Sequence, residues 1–107
     1  MTTEDDAFED HEGIDSSDNS IFIGSKPFMN YVTAIVMQFT TKNASEVLVK
    51  ARGKFISRAV DVVEVASKRF LDETINPKEI KINSEEFTNN EGKKVRVSTI
   101  EIVLVKK

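Results

Sequence analysis

The chain has 107 residues, 39% of them hydrophobic, which is enough for one ordinary domain with a packed core. It contains no cysteine, which excludes a disulfide framework, a thiolate zinc site and a cysteine nucleophile. The net charge of −3 conceals a segregation, because residues 1–20 hold eight acidic and no basic residues, whereas residues 21–107 hold 15 basic and 10 acidic ones, a net charge of +5. A basic body behind an acidic segment favours binding to a polyanion.

Residues 1–19 are predicted to form a disordered acidic tail. Phe8 and Ile14 are their only large apolar side chains, too few to offset the entropy lost on ordering. The tail either regulates polyanion binding by competing for the basic body or merely aids solubility. The first residues lack the basic and apolar regions of a signal peptide, and no stretch reaches the ~20 apolar residues of a membrane span. We therefore expect a soluble, cytoplasmic protein without membrane contact.

The domain of residues 20–107 opens with alternating strands and helices. A short apolar run before Gly24 predicts a buried strand, and Pro27 suits the first position of an amphipathic helix over 27–42. Residues 46–51 predict a second strand, which Gly53 ends before a long helix over 54–71. The apolar stripe of this helix is wider than one packing surface needs. That width favours a second subunit over a deeply buried helix in a monomer.

A long hairpin is predicted to complete the chain. Its strands cover 78–88 and 93–105, joined by the turn sequence Asn-Asn-Glu-Gly at 89–92. The apolar parity changes at 98–99, which indicates either a bulge or an outer half whose faces differ from those of the inner half. Two strands of about ten residues each rise ~33 Å, so the outer half should project as an arm. The predicted fold is an α+β (α/β) two-layer sandwich of order β-α-β-α-β-β, with two helices on one face of a four-stranded mixed sheet.

The usual components of an enzyme are missing from the sequence. The one histidine, His11, falls in the acidic tail, and no Gly-rich phosphate loop is present. With no cysteine, a metal site would need carboxylates alone. Glu85 and Glu86 are adjacent in a strand, so they point to opposite faces and cannot act as an acid–base pair. We expect no catalysis, no metal and no cofactor.

Basic residues form three groups. Lys26 lies where a strand turns into a helix, so that its ammonium and the free N–H groups of the first helical turn can face one anion. The second group consists of Lys50, Arg52 and Lys54, whose alternation predicts side chains at one edge near Arg58. The third group is at the hairpin tip and consists of Lys93, Lys94 and Arg96.

Each group has an alternative explanation. A cluster of surface lysines is commonly only solvated, and lysines on a hairpin can serve to keep an exposed edge from pairing. A basic two-stranded ribbon is also suited to entering a groove of nucleic acid. Three such groups on one small domain favour nucleic-acid binding.

Three blocks of sequence resemble the Alba family of archaeal chromatin proteins. They are IFIGSKPFMNYV at 21–32, VKARGK with ISRAVD at 49–61, and RVSTIEI at 96–102, in the order in which the family has them. The resemblance implies a dimer, either a homodimer or a heterodimer with a paralogue, that binds double-stranded DNA and RNA with little dependence on sequence and is associated with the chromosome. The alternatives are an RNA-binding accessory subunit of a ribonucleoprotein and a protein-interaction module that binds no nucleic acid.

The resemblance also implies roles for residues. On the family pattern the body of the dimer is lined by Lys26, Asn30 and Tyr31, with Lys50, Arg52 and Lys54 beside them, whereas the arms use Lys93, Lys94 and Arg96. Family members are acetylated on a lysine of a Gly-Lys-Lys-Pro turn. This chain has Ser25 in place of the first lysine, so Lys26 is the candidate that the turn retains. Phe70 corresponds to a position at which dimers meet along DNA.

Overall fold

The computed structural model describes residues 19–72 and 74–107 as a four-stranded sheet with two helices on one face. Residues 1–18 of the predicted acidic tail, including His11, lie outside these residues. The elements in chain order are β1 (Ser20–Phe22), α1 (Phe28–Thr40), β2 (Glu46–Arg52), α2 (Ile56–Val65), β3 (Ile75–Thr88) and β4 (Lys94–Lys106). The sheet order is β1-β2-β4-β3, with β1 and β2 parallel and the other pairs antiparallel. The predicted α+β class and element order are confirmed.

Alternation along the strands places one face of the sheet beneath the helices. In β2 the buried residues are Val47, Val49 and Ala51, and their register partners in β4 are Leu104, Ile102 and Ile100, which are buried too. The helices complete this core with Tyr31, Val32, Ile35, Phe39, Ala59, Val62, Val63 and Ala66. Fully burying an aliphatic side chain contributes roughly 1.5–3 kcal/mol, so this face stabilises the fold. Neither helix covers the opposite face, which we call the open face.

The second helix is divided, whereas the sequence predicted one helix over 54–71. A single 3₁₀ turn (Gly53–Phe55) precedes α2, and a π-helical turn (Ala66–Phe70) follows it. Gly53 has a φ of +59°, in the left-handed region that glycine adopts most readily. In the π turn, the buried Ser67 hydroxyl donates to the Val63 carbonyl at 2.8 Å. Apolar spacing did not separate these turns because their periods are close to that of an α-helix.

The hairpin is longer than predicted, since β3 starts at Ile75 and includes Pro77. The proline is tolerated because β3 lies at an edge of the sheet that the described residues form. The register shifts between Pro77 and Glu79, whereas pairing is continuous at 98–99. Of the two explanations for the parity change, the bulge is therefore wrong.

The outer half of the hairpin projects from the body, as predicted. The register of β2 and β4 ends at Arg52 and Thr99, and beyond that point residues 84–98 pair only with one another within the sheet. We call this segment the arm. It accounts for the elongated dimensions of the described chain, 46 × 25 × 23 Å.

Candidate nucleic-acid interface

Three predicted site residues meet at one edge of the sheet. Since β1 and β2 are parallel, their carboxyl ends lie side by side, and the turns that carry Lys26 and Lys54 both leave from this edge. Arg58, in the first turn of α2, reaches across and donates from Nη1 to the Gly24 carbonyl at 2.8 Å. We call Lys26, Lys54 and Arg58 the end cluster. Both lysines are exposed.

Asn30 belongs to the surface beside the end cluster. It lies in the first turn of α1 and is exposed. Its backbone N–H donates to the Pro27 carbonyl at 3.0 Å. An exposed amide at a helix N-terminus can donate to an anion together with the free N–H groups of that turn. Asn30 is therefore exposed beside Lys26, and its role in binding stays a prediction.

Tyr31 supports the turn that carries Lys26 and does not line the surface. Its residue is 1% exposed, and its hydroxyl oxygen accepts hydrogen bonds from the backbone N–H groups of Gly24 at 2.9 Å and Lys26 at 3.0 Å. The Arg58 guanidinium lies 5.7 Å from the centre of the ring. The expectation that Tyr31 lines the body is corrected, because a buried ring cannot touch a bound polyanion. Its contribution is to hold the backbone of the turn in place.

Replacing Tyr31 with Phe should loosen this turn. The change removes the acceptor of two N–H groups, so the free energy of unfolding should fall by roughly 1–3 kcal/mol. Hydrogen exchange of the Gly24 and Lys26 amides should also accelerate. Thr40→Val is the matched control, since it removes from the same helix a hydroxyl whose bond to the Val36 carbonyl is exposed. Equal exchange rates at Gly24 in Tyr31→Phe and in the unmodified protein would contradict the role assigned to Tyr31.

Lys50 and Arg52 lie on the open face and not at the edge with Lys54. Alternation in β2 points them away from the buried Val49 and Ala51. Gly53 ends this alternation with its left-handed backbone, so Lys54 continues in another direction, with its ammonium 5.3 Å from the centre of the Phe55 ring. The predicted grouping of Lys50, Arg52 and Lys54 at one edge is therefore wrong: two lie on the open face and one at the end.

Asn89 shapes the tip of the arm. Its side-chain Oδ1 accepts hydrogen bonds from the backbone N–H groups of Glu91 at 2.9 Å and Lys93 at 3.0 Å, and its own N–H donates to the Lys93 carbonyl at 2.8 Å. Gly92 adopts a φ of +80°, which favours glycine. These bonds give the tip a defined turn, and Lys93 and Lys94 are exposed on it.

Sequence reasoning missed two acidic residues that contact the predicted basic ones. Glu85 Oε1 accepts a hydrogen bond from Arg52 Nη1 at 3.3 Å, and Glu86 Oε2 lies 3.8 Å from Arg96 Nη2. The exposed Glu86–Arg96 pair contributes little to stability, so Arg96 can turn to a phosphate, whereas the Arg52 side chain is only 19% exposed. The Glu86–Arg96 pair follows from hairpin register, which the turn sequence signals. The Glu85–Arg52 pair depends on the order of strands in the sheet, in which β4 lies between β2 and β3.

Phe70 and the remaining predictions are placed elsewhere. Phe70 is 53% exposed in the π turn, at the end of α2 remote from the end cluster.

Within residues 19–72 and 74–107 no three His, Cys, Asp or Glu side chains come together as metal ligands. In the same ranges no helix has the length and apolar character to cross a membrane.

Comparisons with known proteins agree with this fold. A sequence model of the Alba family matches residues 19–89. A relative from Methanococcus maripaludis, named DNA/RNA-binding protein Alba, is 52% identical over 89 residues, which are 83% of this chain and 99% of the relative. DNA/RNA-binding protein Alba 1 of Archaeoglobus fulgidus is 50% identical over 91 residues, 85% of this chain and 99% of that protein. The solved structure of Alba from Thermoplasma volcanium aligns with a TM-score of 0.75 at 44% identity, covering 82% of this chain and all of that one. Because sequence and fold agree over nearly the whole described domain, the chain belongs to the Alba family.

Proposed function

We propose that this protein binds and compacts double-stranded DNA, and binds RNA, as a chromosome-associated dimer with little dependence on sequence. The observation that carries the proposal is that the arm projects from the same edge of the sheet at which the end cluster lies. Within the part of the chain that the structure describes, only the arm extends the sheet beyond the carboxyl end of β2, and the turns that carry Lys26 and Lys54 leave from that end. The names of the archaeal relatives, which describe DNA/RNA-binding proteins, support the same function.

The physical basis of binding is the release of counterions from phosphates. Four exposed residues carry ammonium groups that attract phosphates as point charges: Lys26, Lys54, Lys93 and Lys94. Contacts to the phosphate backbone position a protein without carrying sequence information. Acetylation of Lys26 would remove one of these charges, and we include it as the candidate modification.

The exposed apolar surface supports a dimer. Ile80 is 58% and Ile82 is 80% exposed on the helix side of β3, and α2 adds Val60, which is 42% exposed. Ile82 and Ile56 line a groove between the arm and α2. Exposed isoleucines along an edge strand favour association with another chain. A second copy related by a two-fold axis would cover the apolar surface of β3 and α2 on each subunit. A paralogue with the same surface would give the heterodimer. Phe70, remote from this surface, would then form contacts between neighbouring dimers.

Competition between nucleic acids tests the proposed function. We expect two duplexes of unrelated sequence to bind the full chain with affinities equal within about threefold, since phosphates are common to both. A structured RNA should compete with them at the same salt concentration. If RNA binds and duplex DNA does not, the chain is an RNA-binding subunit of a ribonucleoprotein. If neither RNA nor duplex DNA binds at low salt, the protein is a protein-interaction module.

A further inference from the structure

The open face carries a cleft that lies outside the end cluster of the proposed duplex interface. Its volume is about 680 Å³, and it lies across all four strands; its walls include Phe22, Lys50, Arg52, Lys81, Asn83 and Thr99. Pockets of roughly 300–1,000 Å³ accommodate small organic ligands or single nucleotides. Neither α1 nor α2 covers this side of the sheet, so the cleft is open to a ligand.

An aromatic ring forms one wall of the cleft. Phe22 belongs to the edge strand β1, is half-buried and points to the open face, whereas its neighbour Ile21 is fully buried under the helices. The Lys50 ammonium lies 5.4 Å from the centre of the Phe22 ring. A half-buried ring on a strand, with a cation above it, resembles the stacking positions on which β-sheet proteins hold unpaired bases.

The charges in the cleft suit one phosphate and not a row of phosphates. Glu101 of β4 lies between two lysines, since Lys50 and Lys81 are its register partners on either side, and Glu85 pairs with Arg52. Within the cleft three cations face two carboxylates, and just outside it Glu79 Oε2 lies 4.0 Å from Lys81 Nζ, so the cations are nearly balanced. The backbone of a duplex would meet alternating charges on this face, whereas a single phosphate can approach the lysines at its rim.

Uncharged polar groups continue the cleft beyond the charged row. Asn83 of β3 and Thr99 of β4 are register partners, and both lie on the open face next to Arg52. An amide and a hydroxyl supply donors and acceptors that can pair with the edge of a base. The cleft therefore combines a stacking surface, a polar edge and cations within the dimensions of one nucleotide.

We propose that this open-face cleft binds an unpaired nucleotide of single-stranded DNA or RNA. Its base stacks on Phe22 in place of the Lys50 ammonium, and its phosphate is held by Lys50 and Lys81. The site goes beyond the proposed function, because bases within a duplex are stacked on their neighbours and cannot reach a ring in a cleft. The protein would thus hold duplex segments at the end cluster and arm, and unpaired segments on the open face.

Phe22→Trp gives a direct test, because the chain contains no tryptophan and the new indole is the sole reporter. Titration with oligothymidylate should quench its emission to saturation. An abasic phosphodiester of the same length should leave the emission unchanged, since it lacks the stacking base. Met37→Trp is the matched control: Met37 is 37% exposed on α1, on the other side of the sheet, and its indole should not respond. Equal quenching by the abasic strand, or none by oligothymidylate, would overturn the proposal.

Phe22→Leu provides a second measurement that keeps an apolar residue in β1. The affinity for oligothymidylate should fall about tenfold, as expected for the loss of one stacked base. The affinity for duplex DNA should stay within twofold, because Phe22 belongs neither to the end cluster nor to the arm. An unchanged oligothymidylate affinity would overturn the open-face site alone. Absence of binding to any nucleic acid by the unmodified protein would overturn this site and the proposed function together.

Discussion

Raising the salt concentration fourfold, from ~50 to ~200 mM, should weaken the binding of duplex DNA roughly a thousandfold. A dimer that engages about six phosphates has a slope near −5 for log affinity against log salt. Lys26→Ala should make this slope shallower by about one unit for each phosphate that is no longer neutralised, and therefore by about two units if both copies in the dimer touch phosphate. Duplexes of different sequence should be affected alike. Fluorescence anisotropy at four or more salt concentrations measures the slope.

Lys42→Ala is the control for this experiment. Lys42 is an exposed lysine just after α1, at the end of the helix opposite to Lys26, so its loss changes the net charge equally without touching the end cluster. Its slope should match that of the unmodified protein. A reduction of the slope by Lys42→Ala as large as that by Lys26→Ala would show that net charge, and not the end cluster, governs binding. Loss of affinity for some sequences only would contradict readout through phosphates.

Ile82→Asp should dissociate the proposed dimer. The residue is 80% exposed in the single chain, and in an isologous interface each dimer would bury two new carboxylates. Burying a charge without a partner costs about 3–5 kcal/mol, which raises the dimer dissociation constant by a hundredfold or more. Sedimentation at micromolar concentration should then find the mass of one chain, 12.0 kDa, instead of twice that value. The salt slope for duplex DNA should also fall to about half, because one body presents half of the contacts.

Met37→Asp separates this effect from a general effect of added charge. It places the same carboxylate on an exposed apolar position of α1, away from the groove that Ile82 lines. The variant should remain dimeric. A dimer of normal stability in Ile82→Asp, or a single chain in the unmodified protein, would show that β3 is not the interface.

Three side chains hold the backbone from which the exposed lysines of the proposed interface extend. The turn that carries Lys26 is held by hydrogen bonds of Gly24 to Tyr31 and Arg58. The tip of the arm is held by hydrogen bonds to Asn89. A lysine on an ordered backbone loses less entropy on meeting a phosphate than one on a loose loop. In the proposed interface, the buried Tyr31 hydroxyl would therefore support the contact that the Lys26 ammonium makes.

The order of elements, and the positions of the basic residues along that order, were determined by the sequence alone. Periodicity placed β1, α1, β2 and the hairpin close to their observed bounds, because the spacing of apolar residues records which face is buried. The blocks around Lys26, Arg52 and Arg96 were sufficient to indicate the family. Local patterns suffice for such features since they depend on neighbours within a few positions.

The tertiary structure alone decided which side chains share a surface. Tyr31 has the sequence neighbours of a surface residue beside Asn30, yet it is buried, because α1 turns that side towards the core. Lys50 and Arg52 separate from Lys54 because Gly53 changes the direction of the chain, and Arg52 meets Glu85, 33 positions away, through sheet register. The cleft with Phe22 exists because β1 and β3 flank a face that no helix covers. Such contacts join residues distant in sequence, and single-chain periodicity carries no information about them.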